Sequence, residues 1–67
     1  MANMDLLMQK IEESGMTITH LSDKTGILRA TLYNRFKGVG DFTSTEIVAM
    51  TRVLKLTKAE RDKIFLS

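Results

Sequence analysis

The chain has 67 residues, which admits one domain and excludes two, since independent modules run to roughly 100–150 residues. A core of that size supplies only about 3–5 kcal/mol of net stability, and with no cysteine there is neither a disulfide nor a thiolate metal site to reinforce it, so pairing with a second copy is an expected support. With 43% hydrophobic and 27% charged residues the composition lies outside that of disordered segments, and the net charge of +2 is unevenly spread: residues 17–38 hold Lys24, Arg29, Arg35 and Lys37 against Asp23 alone, whereas residues 1–16 hold Lys10 against Asp5, Glu12 and Glu13.

No proline interrupts the chain, so glycines and capping residues mark the element ends. Met1 reads as the initiator. Asn3 is suited to cap a first helix over residues 4–14, with Met4, Leu7, Met8 and Ile11 at the spacing of one buried stripe and Gly15 as its stop. Thr17 caps a second, barely two turns long, which carries Leu21 inward, runs to about Lys24 and ends at Gly26. Residues 28–37 predict a third helix with Leu32 and Phe36 facing inward and Gly38 closing it. After the loop Gly38-Val39-Gly40-Asp41 and the apolar anchor Phe42, Thr43 to Glu46 has the spacing of a capping box. A fourth helix follows to about Leu54, with Ile47, Met50 and Leu54 on one face. Thr57 to Glu60 repeats the box ahead of a last helix ending near Phe65. The expected fold is all-α, a compact bundle of five short helices forming a single domain over residues 1–67.

The longest unbroken apolar run, Ile47 to Met50, is too short to cross a bilayer, and Met1 to Asp5 does not open a signal peptide; the expectation is a cytoplasmic protein without a membrane partner. Catalysis is poorly provided for. His20 is the sole histidine and falls within a helix beside Ser22 and Asp23, which builds neither a nucleophilic triad nor a zinc site. The glycines match no phosphate-binding loop. The chain is therefore read as no enzyme, with no catalytic residues, metal, cofactor or small-molecule ligand. Met4, Met8, Met16 and Met50 fall at core spacing and read as packing.

Residues 17–37 carry more information. A short capped helix, a turn at Gly26 and a helix with its apolar side chains on one side form the pattern of a helix-turn-helix. Ser22 is small enough for a close helix crossing, Gly26 can take the left-handed turn, and Ile27, Leu32 and Phe36 dock the second helix. At about 100° per residue, Ala30, Tyr33, Asn34 and Lys37 occupy the outward arc, with Arg29 and Thr31 at its edges and no acid among them.

The stretch from Met16 to Thr57, through Lys24-Thr25-Gly26-Ile27, Thr31-Leu32, Phe36-Lys37-Gly38 and Phe42 to Leu56-Thr57, resembles the lambda-repressor-like helix-turn-helix domains of phage Cro proteins, phage repressors and their bacterial relatives. The resemblance covers nearly the whole chain. It implies a transcriptional regulator of phage or mobile-element type that binds double-stranded DNA as a homodimer and represses by occluding an operator. It further implies base contacts from Arg29, Ala30, Tyr33 and Asn34, and phosphate contacts from Thr17, Thr31 and Lys37. The chemistry suits those roles: Arg29 can grip guanine O6 and N7, Asn34 can pair with adenine N6 and N7, Tyr33 offers a hydroxyl and a ring, and Ala30 can pack on a thymine methyl.

Two positions depart from the family. Where the family commonly has Gln this chain has Ile18, and where it favours a capping Ser or Thr it has Leu28, at a cost of about 1 kcal/mol relative to a good cap. Ile18 and Leu28 as neighbours in one apolar patch would suit a protein partner, which makes an antirepressor or corepressor the alternative reading. Some of Val48, Val53 and Ile64-Phe65-Leu66 are expected to be left exposed in a monomer, as apolar surface in the C-terminal half for a second copy.

Overall fold

Each of the five helices begins at the residue whose side chain can satisfy its first free N–H groups, with one exception. The computed structural model describes residues 2–66 and contains α1 (Met4–Ser14), α2 (Ile18–Thr25), α3 (Arg29–Phe36), α4 (Ser44–Val53) and α5 (Lys58–Phe65), with no strand among the described residues. Met1 and Ser67 lie outside that range. The Asn3 Oδ1 accepts from Leu6 N at 3.1 Å, and the Thr17 Oγ1 accepts from His20 N at 3.1 Å. Thr43 with Glu46, and Thr57 with Glu60, form reciprocal capping boxes. The exception is α3, where Leu28 occupies the cap position and its side chain accepts nothing.

α3 is accordingly shorter than residues 28–37: Leu28 stays outside with ψ 143°, and Lys37 is the C-terminal cap. Gly15 and Gly26 close α1 and α2 in the left-handed conformation, at φ 75° and 76°, where a Cβ would be strained even though nothing crowds it. At the end of α4 the same left-handed conformation falls on Lys55, φ 54°.

All five helices feed one core of Leu7, Ile11, Leu21, Ile27, Leu32, Met50, Leu56, Ile64 and Phe65. α2 packs on both α3 and α4, while α1 and α4 each pack on α5. The Asn3 N–H donates to Ile64 O at 2.6 Å, tying the start of α1 to the last helix. Phe42 meets Phe65 edge to face at 5.3 Å. The body is compact, 26 × 24 × 20 Å, and none of its helices is long and apolar enough to cross a membrane.

One expected inward position is corrected. Met8 is 42% exposed, so the α1 stripe is Met4, Leu7 and Ile11, and Met8 adds no core packing. Ala49 is buried beside Met50, and of the apolar residues in the C-terminal half Ile64 and Phe65 are buried. Val48 and Leu66 remain exposed.

α1 and α5 are also joined by charge. Lys10 Nζ lies 2.5 Å from Glu60 Oε2 and 3.5 Å from Glu13 Oε1. The hydrogen bond to Glu60 is the main reason Lys10 is held above its ordinary 10.5, and the bond from Lys10 is the main reason Glu60 is held below its ordinary 4.5. Glu60 binds its proton less readily in the folded chain, so its contribution is complete above pH 4.5 and is lost as pH falls through the lowered folded value. Lys10 holds its proton more tightly when folded, so its contribution is complete below pH 10.5 and is lost as pH rises through the raised value.

Two predictions follow from these features of the fold. Glu60→Gln, which preserves the capping box, lowers the melting temperature at neutral pH, and the gap from wild type narrows as pH drops below 4.5; a gap that stays constant down to strong acid contradicts the assignment. Lys55→Gly removes a strained left-handed side chain and raises stability by about 0.5–1 kcal/mol after the added unfolded-state entropy of glycine, measurable by denaturant titration.

Candidate functional site

The connection from α2 to α3 is only Gly26-Ile27-Leu28, and its shape is fixed by short polar bonds from small side chains. Ser22 Oγ donates to Ile27 O at 2.5 Å, Thr25 Oγ1 donates to Leu21 O at 2.8 Å, and Ile27 N donates to Thr25 Oγ1 at 3.2 Å. Ser22 thus does more than leave room for a crossing, because its hydroxyl satisfies a carbonyl that the turn would otherwise strand. Ile27 enters the core immediately afterwards and sets the direction in which α3 departs.

α3 is pinned through Leu32, which is wholly buried, and Phe36, which packs on the core. The consequence of that pin is an exposed opposite side. Arg29, Ala30, Tyr33, Asn34 and Lys37 are all exposed, Tyr33 by 50%, and Thr31 is half-buried at the edge. No acid occurs on α3. Among the described residues, nothing hydrogen-bonds or ion-pairs with the Tyr33 hydroxyl, the Asn34 amide or the Lys37 ammonium. Thr17 is exposed at the head of α2, its Oγ1 already accepting from His20 N, which leaves the hydroxyl proton to donate outward. His20 is exposed in the same turn, and no group of three or more potential metal ligands occurs among the described residues.

Arg35 and Ile18 both take structural parts, and for Ile18 this overturns the expected surface position. Arg35 turns toward α4: its Nε donates to Glu46 Oε1 at 3.2 Å and its Nη1 to Val39 O at 3.4 Å, so it braces the loop after α3. Gly40 passes over that guanidinium in the left-handed conformation, φ 77°, which glycine takes without strain. Ile18 packs against the core and is half-buried, which removes it as the exposed neighbour of Leu28. Leu28 alone is left outward, 73% exposed, beside a groove shared with Thr31, Thr45 and Ala49.

One participant was not anticipated. Arg29 Nη1 donates to Thr19 Oγ1 at 3.3 Å, joining the heads of α3 and α2 across ten residues of sequence. A threonine one position inside a capped helix signals nothing in isolation; the contact exists only because the turn lays the two helix heads side by side. Set against protein-family models, curated proteins and solved structures, the chain matches none, so the functional reading rests on this surface and on the sequence resemblance.

The vacant cap gives a prediction. Leu28 already has an N-cap-like backbone, so Leu28→Ser supplies an acceptor to α3 and stabilises the fold by about 1 kcal/mol, a rise of roughly 4–8 °C in Tm for a domain of this size. A melting temperature that does not rise shows that the first N–H groups of α3 were already satisfied by water.

Proposed function

We propose that the chain is a sequence-specific DNA-binding transcriptional regulator of the helix-turn-helix type, similar to phage Cro proteins, in which α2 and α3 form the DNA-binding unit and α3 enters the major groove. One observation carries this reading: the outward side of α3 presents Arg29, Ala30, Tyr33, Asn34 and Lys37 together, all exposed and without an acid, beside the N-terminus of α2. A duplex needs such a surface, since phosphates repel carboxylates and base edges are read by forked or amide donors. Arg29 and Asn34 read guanine and adenine edges, while Ala30 and Tyr33 contribute apolar and ring contact. Thr17, Thr31 and Lys37 hold phosphates, helped by the free N–H groups at the head of α2.

A homodimer on a two-fold operator follows from the small footprint of one α3, and Val48 and Leu66 are exposed apolar residues of α4 and the end of α5 that a second copy would cover. Occupation of the operator is the proposed mechanism, and it operates in the cytoplasm. The second reading, a modulator that binds another regulator protein, is favoured by Leu28, an exposed leucine where a cap is expected.

The deciding experiment is a salt titration of binding to the intergenic DNA beside the gene for this chain, with random duplex as competitor. Submicromolar, competitor-resistant binding with a log–log salt slope of several units is expected. In that assay Arg29→Ala costs about 1–3 kcal/mol and relaxes preference at one base pair, and Lys37→Ala weakens all sequences alike and lowers the slope by about one. Binding no tighter than to random DNA, on the order of 10 μM or weaker, rejects the DNA reading. The modulator reading then predicts that Leu28→Ser abolishes partner binding while Arg29→Ala leaves it intact.

A further inference from the structure

The Arg29–Thr19 contact joins the heads of α3 and α2 at the edge of the exposed arc. Arg29 is the first residue of α3 and is exposed, and Thr19 is the second residue of α2, exposed and one position past Ile18, which turns into the core. The bond engages Nη1 of the guanidinium, at 3.3 Å from the threonine oxygen, and leaves Nε and Nη2 to donate elsewhere. Threonine is suited to the task. Its branched Cβ restricts χ1 within a helix, and the Thr17 cap fixes the turn that carries it, so the acceptor is a rigid point on the surface.

We propose that Thr19 is a positioning residue for base readout: it restrains the Arg29 side chain before DNA arrives, with a guanidinium edge left available for the O6 and N7 of a guanine. This rests on the DNA-binding reading above and adds a specificity determinant to it. An exposed arginine samples many rotamers and loses that freedom on gripping a base; an acceptor that holds one of its nitrogens removes part of the loss in advance. Thr19 itself touches no base. Its effect is therefore confined to the base pair that Arg29 reads, whereas a general weakening of the fold would affect every sequence equally. Thr19 is uncharged, so its removal leaves the number of displaced counterions, and hence the salt slope, unchanged.

The test uses the full chain and a random-sequence duplex library enriched by the wild-type protein, followed by duplexes carrying single base-pair changes in the selected site. Arg29→Ala identifies the base pair whose preference depends on Arg29. Thr19→Val, nearly isosteric, is expected to reduce preference at that pair alone, by about twofold to tenfold, with the salt slope unchanged. Thr19→Ser retains the preference, and Thr19→Val adds nothing in the Arg29→Ala background. Thermal melts of the free variants accompany the binding data; if Thr19→Val loses its fold, Thr19→Ala takes its place, with the same loss at that pair expected in the wild-type background and none in the Arg29→Ala background.

Unchanged preference in Thr19→Val, an equal loss at every position, or the same loss with Arg29 already removed overturns the role of Thr19 and leaves the DNA reading standing. A wild-type protein that enriches no sequence from the library overturns the DNA reading and the inference with it.

Discussion

α3 is held to the molecule by very little apolar surface. Leu32 is wholly buried and Phe36 partly so, and these two, four residues apart, are the only large apolar side chains of that helix that face the core. A helix of eight residues is not stable alone and gains its order from packing, so such a narrow seam requires help at both ends. At the N-terminal end the help comes from the turn, where Ser22 and Thr25 tie down the connection and Ile27 enters the core. At the C-terminal end Arg35 reaches Glu46 on α4. With both ends fastened, the rest of α3 is released from structural duty, and that release is what makes its outward surface available for a ligand.

The same economy governs charge. Glu46 serves the Thr43 cap and Arg35 with one carboxylate, Glu60 serves the Thr57 cap and Lys10, and Asp62 pairs with Arg61. These acids are neutralised where they stand, so they contribute little field at the surface of α3. Arg29 is engaged only by a neutral hydroxyl, and Lys37 extends from the end of the helix. The outward side of α3 therefore carries positive charge with no acid of its own helix beside it. Lys10 lies far from this concern, spent between α1 and α5.

Local chemistry was legible in the sequence and crossing geometry was not. Asn3, Thr17, Thr43 and Thr57 cap as their residue types require, and Gly15 and Gly26 end their helices, because a cap involves groups within four residues of one another. Met8 shows the limit. It fits the α1 stripe by spacing, yet the stripe is narrower than the pattern allows, and only the placement of α5 against α1 decides that Leu7 and Ile11 are covered and Met8 is not. Arg35 and Arg29 make the same point for the site: both are bases on α3, and their partners, Glu46 and Thr19, are eleven and ten residues away on other helices. Charge along the chain puts the two arginines in one class, whereas folding assigns one to the loop and the other to the exposed arc.

Leu28 is where stability and proposed function press in opposite directions. A hydroxyl there would satisfy the head of α3, and the chain instead presents an isobutyl group to solvent, leaving the first N–H groups of that helix without a protein acceptor from the cap. Those unsatisfied donors sit beside Arg29, at the end of the helix dipole that attracts negative charge. In the proposed DNA-binding reading, a phosphate or base acceptor would find there donors that no capping side chain competes for, and the missing cap would be offset in the complex. For a protein partner the exposed leucine itself is the attraction, and the open N–H groups are incidental. The two readings thus assign the same residue opposite parts, backbone in one and side chain in the other.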